Sequence, residues 1–364
     1  MRSKSRLWAP ALAAATLIGC GEGPRAEPSA SVEAPPQARA GELRAPDTQP
    51  TPPEAKATPA ATPTDQAPEP SASAPLPVFA VARLGHAGPV TDLAWSDDGA
   101  TIATVASDGE VRLWDATSYA LTRTLDGPPG EHRRVALTRD GATVVANAEH
   151  EVRAWDAKTG ALRHTLAHTG ETFAVAISGD GATIASGGAD GLRIWAADGA
   201  PRHHVELRGK QVASLAVSGD GGTLASGWDD GRVRLYEAAS GELTRTIKTG
   251  ADPETLAYSR DGTRLAARSG DESFRIFDAT TGKALAKIPL AHPLAFGVGD
   301  HLLLGTNTPG DGEVEVSVID VGPAQIVRGF LGHEAGITAA AWSPDGNTFA
   351  TASADTTALI WAAP

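Results

Sequence analysis

The chain has 364 residues, enough for one large all-β domain or for two domains of ordinary size. Acidic residues outnumber basic ones by 44 to 31 and the net charge is -13, which argues against a nucleic-acid partner because nucleic acids attract clustered lysine and arginine. A single cysteine excludes an intramolecular disulfide, and no apolar run reaches the roughly 20 residues of a transmembrane helix.

The chain opens with a basic segment followed by a short apolar one. Three basic residues lie within the first six positions, and residues 11–18 are apolar except for one threonine. This run is too short to cross a bilayer but is typical of a secretory leader. It ends in Leu-Ile-Gly-Cys at residues 17–20, which resembles the bacterial lipobox. The resemblance implies that residues 1–19 are a lipoprotein signal peptide and that Cys20 is lipidated; the alternative is an ordinary signal peptide with a chance cysteine.

Lipidation at Cys20 would attach the mature chain to a membrane. Each buried methylene contributes about 0.8 kcal/mol, so several acyl chains hold a protein durably where one does not. The residue after the cysteine is Gly21 rather than aspartate, which by the Gram-negative sorting rule favours the outer membrane over the inner one. We therefore predict a lipid-anchored protein of the bacterial cell envelope.

The segment after the cysteine differs in composition from the rest of the chain. Residues 21–77 are rich in proline and alanine and contain no aromatic residue. Such a stretch cannot bury enough apolar surface to offset its ordering entropy, so residues 20–77 are predicted to be a lipid-anchored, disordered tether. It serves either as a spacer that clears the lipid headgroups or as a linker without a length requirement.

From residue 78 onward the sequence repeats with a period of 40–42 residues. Each unit contains short runs of alternating polarity and Asp-Gly pairs, which are the strongest short signal for a β-hairpin. Two hairpins per unit predict a four-stranded antiparallel blade, and blades stack into a ring because none can bury both faces alone. The units end at Trp114, Trp155, Trp195, Tyr236, Phe277, Ile319 and Trp361.

The first and last units carry the most specific patterns. The first reads Leu-Gly-His at residues 84–86, Trp-Ser-Asp-Asp-Gly at 95–99 and Leu-Trp-Asp at 113–115, and the last repeats similar patterns from Leu331. Residues 78–364 thus resemble the WD-repeat family. The resemblance implies an all-β fold, a seven-bladed β-propeller of four-stranded antiparallel blades, although the unit near residues 291–330 lacks the first Asp-Gly turn.

The two ends of the repeat region predict how the ring closes. The last unit stops three residues after Trp361 and has room for only three strands. Residues 78–84 form a strand without a blade of its own, so we predict that this N-terminal strand completes the last blade and removes its open edge. The alternative, a six-bladed ring with stray ends, leaves that strand unused.

Histidine, hydroxyl and carboxylate side chains recur at fixed spacing in three units. The histidine precedes the aspartate by 22 residues, the hydroxyl precedes it by 4, and a tryptophan follows. A Ser-His-Asp set also occurs in hydrolases, but a hydrolase needs one such site rather than three. In WD repeats the matching residues form a buried, structural hydrogen-bond chain, and the resemblance implies the same here. These predicted tetrads are His86, Thr104, Asp108 and Trp114; His168, Ser186, Asp190 and Trp195; His333, Thr351, Asp355 and Trp361.

Two classes of function fit these features. The first is a non-enzymatic scaffold that binds partner proteins at the narrow face, where the Gly-His and Asp positions lie. The second is a propeller enzyme or small-ligand binder, such as a lactonase-like hydrolase acting through the axial channel. We favour the scaffold and predict no catalytic residue, cofactor or metal site, because the familiar catalytic and nucleotide-binding motifs are missing from the sequence. His203 and His204 are adjacent on a predicted strand and point to opposite faces, which suits surface residues rather than metal ligands.

The fourth unit departs from the others near the narrow face. Aligning the Asp-Gly pairs places Trp228 where the third unit has Gly188, beside the additional carboxylate of Asp229. Arg208 stands where the tetrad units have histidine. Exposed tryptophan is enriched among residues that dominate interface energy, so Trp228, Asp229 and Arg208 are predicted to contact a partner protein. The alternative is that Trp228 fills space between neighbouring blades.

Overall fold

The computed structural model describes residues 80–127, 132–271, 273–288, 295–297, 301–307, 314–320 and 325–364. The predicted leader, Cys20, the predicted tether and the first two residues of the predicted closing strand lie outside these residues. Every helix or strand that the described residues form is a β-strand, and among them there is no helix long and apolar enough to cross a membrane. The prediction of an all-β fold is confirmed.

A recurrent turn explains why the first two strands of a blade pair. In the first repeat, Ser96 Oγ donates a hydrogen bond to Asp98 Oδ1 at 2.6 Å, and this oxygen also accepts one from the Ala100 amide at 2.9 Å. Gly99 has a φ of 74°, in the left-handed region that favours glycine. The same hydroxyl-to-carboxylate bond recurs at Asp140, Asp180, Asp220, Asp261 and Asp345.

The strands pair into four-stranded antiparallel sheets, each a blade. Blade 1 contains β2 (Val90–Trp95), β3 (Thr101–Ala106), β4 (Glu110–Asp115) and β5 (Leu121–Asp126). Blade 2 contains β6 (His132–Leu137), β7 (Thr143–Ala148), β8 (Glu151–Asp156) and β9 (Leu162–Ala167). Blade 3 contains β10 (Thr172–Ile177), β11 (Thr183–Gly188), β12 (Gly191–Ala196) and β13 (Pro201–Val205).

Two further blades follow in the same order. Blade 4 contains β14 (Val212–Val217), β15 (Thr223–Trp228), β16 (Arg232–Glu237) and β17 (Leu243–Lys248). Blade 5 contains β18 (Pro253–Tyr258), β19 (Arg264–Ser269), β20 (Ser273–Asp278) and β21 (Ala284–Ile288).

The last blade, called the closing blade, joins the two ends of the repeat region. It contains β26 (Ile337–Trp342), β27 (Thr348–Ser353), β28 (Thr357–Ala362) and the N-terminal strand β1 (Ala80–Gly85). β1 runs antiparallel to β28, with Gly85 opposite Thr357 and Arg83 opposite Leu359. The N-terminal strand therefore supplies the outer strand that the last repeat lacks.

The sequence prediction of a seven-bladed propeller is wrong, because only six of the sheets formed by the described residues are blades of the regular form. The sheet at the place of the sixth repeat, called the irregular sheet, contains β22 (Ala295–Phe296), β23 (His301–Asn307), β24 (Val314–Asp320) and β25 (Gln325–His333). Its first strand has only two residues, against six in the regular blades. This repeat lacks the Asp-Gly pair that holds the first hairpin in the other repeats. The connections between its strands lie outside the described residues.

The core lies between sheets rather than inside one of them. The first strands of consecutive sheets contact one another around the ring, and β26 contacts β2. Each cluster of buried apolar side chains joins two neighbouring sheets: Trp155, for example, packs against Leu113 and Val105 of blade 1, and Trp114 packs with Ile360 of the closing blade. The second strand of a blade, such as β3, is buried on both faces, which is why it consists of small and apolar residues with two threonines.

Candidate functional site

The structure brings the four side chains of the first predicted tetrad into one hydrogen-bonded chain. Trp114 Nε1 donates to Thr104 Oγ1 at 2.8 Å, and the same hydroxyl lies 2.7 Å from His86 Nε2. His86 Nδ1 lies 3.1 Å from Asp108 Oδ2. Thr104 is on β3 and Trp114 on β4, whereas His86 belongs to the connection between β1 and β2. This hydrogen-bond chain therefore links the inter-blade connection to the second and third strands of its blade.

The tetrads of blade 3 and the closing blade repeat this geometry. In blade 3, His168 lies 2.6 Å from Ser186 Oγ and 2.7 Å from Asp190, and Trp195 donates to the same hydroxyl at 2.8 Å. The tetrad of the closing blade consists of His333, Thr351, Asp355 and Trp361. Its His333 lies 2.7 Å from Thr351 Oγ1 and 2.7 Å from Asp355, and Trp361 donates to the same hydroxyl at 2.8 Å. All three tetrads lie at one end of the ring, called the tetrad face, which carries the inter-blade connections and the turns between second and third strands.

The donors and acceptors of the tetrad fix its protonation. Because each hydroxyl accepts the indole N–H, it donates its own proton to histidine Nε2, and histidine Nδ1–H then donates to the carboxylate. Burial opposes ionisation of Asp108, but hydrogen bonds from His86, from the Glu110 amide and from the Ala87 amide outweigh it and lower the pKa of Asp108 to about 2. The carboxylate is therefore ionised, and it also joins the inter-blade connection to the adjacent turn.

The other two tetrads also contain an ionised aspartate. The pKa of Asp355 falls to about 2, because hydrogen bonds from His333 and neighbouring groups outweigh its burial. The pKa of Asp190 is likewise well below its usual value. Burial is the largest influence on His168 and lowers its pKa despite the attraction of Asp190. The hydrogen-bond chain requires a neutral His168, because its Nε2 accepts the proton of the Ser186 hydroxyl.

The hydroxyls of the tetrads are placed to support the fold rather than to react. Histidine Nε2 contacts a hydroxyl and Nδ1 contacts a carboxylate, which is also the arrangement of a catalytic triad. However, Thr104, Ser186 and Thr351 are fully buried, and each already accepts an indole N–H. A nucleophile must reach the carbonyl carbon of its substrate, and these oxygens have no path to one.

One group of possible metal ligands occurs among the described residues, and it overlaps the first tetrad. His86, Asp108 and Glu110 have ligand atoms within 4.8 Å of one another. Both ring nitrogens of His86 are already engaged in the tetrad, and Glu110 pairs with Arg112 at 2.6 Å. The donor set is therefore committed to other contacts and does not fit a resident metal.

The fourth blade replaces its tetrad with a different network, and Trp228 is not exposed as the sequence predicted. Its side chain is fully buried, and its Nε1 donates to Ser226 Oγ at 2.8 Å. The Arg234 guanidinium lies 5.2 Å from the centre of the indole ring and pairs with Asp230 at 2.7 Å. The indole N–H thus donates to the hydroxyl, as the tryptophan of a tetrad does, and Ser226 Oγ donates to the Arg234 carbonyl oxygen instead of to a histidine. The indole packs between blades 3 and 4, as the alternative interpretation held, and cannot anchor a partner.

The other two predicted contact residues lie at the surface of the tetrad face. Arg208 is exposed. Asp229 accepts a hydrogen bond from the Gln211 amide at 3.1 Å, lies 3.8 Å from Lys210 Nζ and has a side chain that is 35% exposed. Arg208 and Lys210 belong to the connection that leads into blade 4, and with Asp229 they are called the blade-4 charged site.

The sequence analysis missed a carboxylate on an inner strand. Asp92 on β2 accepts a hydrogen bond from the Val135 amide at 2.9 Å and lies 3.8 Å from Arg134 Nη1. Burial raises the pKa of Asp92, against the opposing effect of Arg134. The contact joins blades 1 and 2. A charged residue inside the otherwise apolar run at residues 90–95 was the signal that could have revealed it.

The paired histidines of blade 3 have separate environments. His204 Nε2 lies 2.8 Å from the Asp190 carbonyl oxygen. His203 packs against Gly241 of blade 4, where a Cβ would come within 2.5 Å of its ring. The two side chains therefore do not converge on one ligand.

Comparison with known proteins agrees with the repeat geometry. Residues 79–115 and 324–362 match the family described as WD domain, G-beta repeat. In these two segments the chain is similar to WD repeats. Together these segments contain the first three strands of blade 1 and all four strands of the closing blade, and both blades have a complete tetrad. Residues 175–257, which run from blade 3 into blade 5, match the anaphase-promoting complex subunit 4 WD40 domain.

The chain is also similar to one curated protein over a short segment. Protein HIR1 of Mycosarcoma maydis is 46% identical over 46 residues, which is 13% of this chain and 4% of HIR1. The aligned segment is little longer than one repeat, so the similarity concerns the repeat unit and not the whole protein.

Proposed function

We propose that this protein is a non-enzymatic, membrane-anchored scaffold that binds a partner protein at the tetrad face. The observation that carries the proposal is the use of the tetrads: their histidines and carboxylates hold the inter-blade connections in place and are not available for chemistry. Loops fixed in this way form a preorganised surface, which lowers the entropy lost on binding. The WD repeats support the proposal, since propellers of this kind generally mediate protein–protein interactions.

The blade-4 charged site is the part of this face that we propose contacts the partner. Arg208 stands where the tetrads have histidine and is exposed, two residues before Lys210, whose Nζ lies 3.8 Å from the partly exposed Asp229. Charged groups at the rim of an interface influence the association rate and the choice of partner more than the affinity. A partner with a complementary acidic segment near Arg208 and Lys210 fits this arrangement.

The membrane anchor is the second part of the proposal and rests on the sequence alone. Cys20 carries the lipid, residues 20–77 form the tether, and the outer membrane is the favoured location. Cys20→Ser should abolish acyl labelling and release the protein from the membrane pellet, because the tether has no other apolar segment to hold it. Unchanged pelleting of this variant would contradict the anchor without bearing on partner binding.

Partner binding is tested by quantitative cross-linking in intact envelopes followed by affinity purification and mass spectrometry. Arg208→Glu should reduce the recovery of a specific cross-linked protein by at least about fivefold, because it reverses the charge at the blade-4 charged site. Arg245→Glu is the matched control, since Arg245 is an exposed arginine on outer strand β17. Equal recovery with both variants would reject this surface.

A further inference from the structure

The joints between regular blades share a contact at the outer part of the ring. The third residue of a fourth strand lies against a glycine of the next blade, in the turn between its third and fourth strands. Arg123 of blade 1 is an example, because a Cβ on Gly160 of blade 2 would come within 3.0 Å of its side chain. The next three joints have the same contact, between His164 and Gly199, His203 and Gly241, and Arg245 and Gly282. Four consecutive joints, from blade 1 to blade 5, are therefore built alike.

Blade 1 has a tyrosine where these turns have glycine. The Tyr119 amide donates to the Asp115 carbonyl oxygen at 2.8 Å, just as the Gly160 amide donates to the Asp156 carbonyl oxygen at 2.8 Å. The glycines of the four joints have φ values of 68–78°, and Tyr119 has a φ of 58°, which is also in the left-handed region. A bulky side chain in this region costs free energy that glycine does not. The packing of the Tyr119 ring must offset this cost.

Tyr119 belongs to the joint that closes the ring, between the closing blade and blade 1, called the closing joint. The outer strand of the closing blade is β1, and its third residue is Ala82. Ala82 lies opposite Ile360 directly after a shift in register, as Arg123 lies opposite Leu113 in blade 1. Ala82 therefore holds the position that arginine or histidine holds in the other four joints. At the closing joint, the small residue is on the outer strand and the large residue is in the turn.

Three observations place the side chain of Tyr119 against the closing blade. Tyr119 is half-buried, and it packs with Ala82 against one buried cluster that contains Ile360. It also lines a groove of about 590 Å³ together with Asp345 and Thr348 of the closing blade. Burial raises the pKa of Tyr119, and the negative charge of Asp345 raises it further. The uncharged ring of Tyr119 therefore reaches across the closing joint.

We propose that Tyr119 is a latch for the N-terminal strand, whose ring packs over Ala82 and holds β1 in the closing blade. In blades 1 to 5 a short turn connects the fourth strand to the third, so the fourth strand cannot leave its blade freely. β1 lies at the other end of the chain from β28, and only noncovalent contacts hold it there. A contact from blade 1 supplies part of what that turn supplies elsewhere. The latch controls the opening of the ring and is independent of the proposed partner and anchor.

Hydrogen–deuterium exchange of the full-length protein tests the latch. Tyr119→Gly gives blade 1 the turn residue of the other joints and relieves the backbone strain. Because the latch is lost, we nevertheless expect the amides of β1 and β28 to exchange at least about fivefold faster, and the melting temperature to fall by about 2 °C or more. His164→Ala is the matched control, since it removes the contact between blades 2 and 3 and should leave the exchange of β28 unchanged. Unchanged exchange of β1 and β28 in Tyr119→Gly would overturn the proposal.

A double variant tests whether the two sides of the closing joint depend on each other. Ala82→Arg alone should lower the melting temperature, because the longer side chain meets the ring of Tyr119. Combined with Tyr119→Gly, it recreates the arrangement of blades 1 and 2, in which Arg123 also donates to the carbonyl oxygens of Lys158 and Thr159. The fall in melting temperature of the double variant should therefore be smaller than the sum of the two single falls. A fall equal to that sum, or larger, would refute the exchange of roles between the two positions.

Two further variants keep the test decisive if Tyr119→Gly does not fold. Tyr119→Asn removes the ring, but asparagine tolerates the left-handed region, so β1 should again exchange faster than in the unchanged protein. Tyr119→Phe keeps the ring and should leave the exchange of β1 unchanged. Protection of β1 that survives in Tyr119→Asn, or that is lost in Tyr119→Phe, would contradict a latch formed by the ring.

Discussion

At the scale of single residues, the tetrads show how a hydrogen-bond chain can use groups typical of catalysis for stability alone. The fixed spacing in the sequence singled out the members, because each repeat places the same positions at the same points of its strands. Spacing could not reveal whether the hydroxyl is accessible. That depends on the packing of the folded ring, in which Thr104 is completely buried. Burial, and not residue type, separates a structural chain of this kind from a reactive one.

Asp108→Ala tests the structural role of a tetrad. The change leaves His86 Nδ1 and the Ala87 and Glu110 amides without their acceptor. We expect the free energy of unfolding to fall by about 1–3 kcal/mol, as measured by denaturant titration. Asp126→Ala is a suitable control, because Asp126 is an exposed carboxylate on an outer strand. If Asp108→Ala were no less stable than the control, the tetrad would contribute nothing to the fold.

Trp228 illustrates what alignment of repeats cannot supply. The alignment correctly placed an indole beside the Asp-Gly turn, but it gave no information on the direction of the side chain. Arg208 at the histidine position of blade 4 is exposed, and the buried indole of Trp228 contacts Ser226, the hydroxyl residue of this blade. The two substitutions in the sequence are therefore one structural change. Together they indicate that a buried contact inside blade 4 has changed, and not that an exposed residue anchors a partner.

Trp228→Ala should accordingly reduce stability rather than binding. Removal of a fully buried tryptophan costs about 3–5 kcal/mol, and the Arg234 guanidinium would lose the ring that it covers. Trp228→Phe should cost less, since it keeps most of the apolar contact but loses the bond to Ser226. Thermal unfolding of both variants measures the difference. Weaker partner capture with an unchanged melting temperature would contradict the buried role.

At the scale of elements, the turns determined how much of the blade could be predicted. Where an Asp-Gly pair follows Ser or Thr, the bond from the hydroxyl to Asp98 or its equivalents fixes the hairpin locally, and the sequence predicts it. In the irregular sheet no such pair is present, and β22 has only two residues. Pairing there depends on contacts with neighbouring sheets, which a local pattern does not contain.

The connection between blades 2 and 3 should loosen on acidification. The folded-state pKa of His168 is lower than its ordinary value of 6.5, so the stability it contributes is present above that pH and is lost as the pH falls through the folded pKa. Arg193 and His204 nearby also disfavour its protonation, and Asp190 favours it. The pKa of Asp190 is lowered as well, which adds a second loss below about pH 3.8.

Hydrogen–deuterium exchange at several pH values measures this opening. Protection of β10 and of the turn between β11 and β12 should decrease between pH 7 and 5, after correction for the intrinsic rate. His168→Gln removes the titrating group. In this variant the amides of β10 and of the β11–β12 turn should be less protected at pH 7, and their protection should change less with pH. A pH dependence in this variant equal to that of the unchanged protein would exclude His168 as the cause.

At the scale of the whole molecule, the features that matter most arise only on ring closure. Trp95 and Trp342 are almost 250 residues apart in sequence, yet both line one cavity to which every sheet of the ring contributes residues. Each is an ordinary apolar residue at the end of its own strand. Nothing in either repeat indicates that the two side chains line the same space. Sequence periodicity predicted the ring, but the chemistry of its axis required all sheets to be in place.

Closure itself depends on the N-terminal strand. Leu84 of β1 is fully buried against Val90, Ile102 and Ile360, and β1 covers the outer edge of β28. Removing this strand exposes a row of unpaired backbone groups on the closing blade, which is a template for association with another chain. Loss of the burial of Leu84 alone costs about 1.5–3 kcal/mol.

Two truncations separate the strand from the tether. A chain that begins at residue 78 should melt at nearly the temperature of the full protein, because residues 21–77 are predicted to add nothing to the core. A chain that begins at residue 86 should melt at a clearly lower temperature and aggregate at micromolar concentration, since β28 has lost its partner. Calorimetry gives the melting temperatures, and light scattering detects the aggregates. Identical melting of the two truncated chains would mean that the ring is held closed by the contact between β26 and β2 and not by the N-terminal strand.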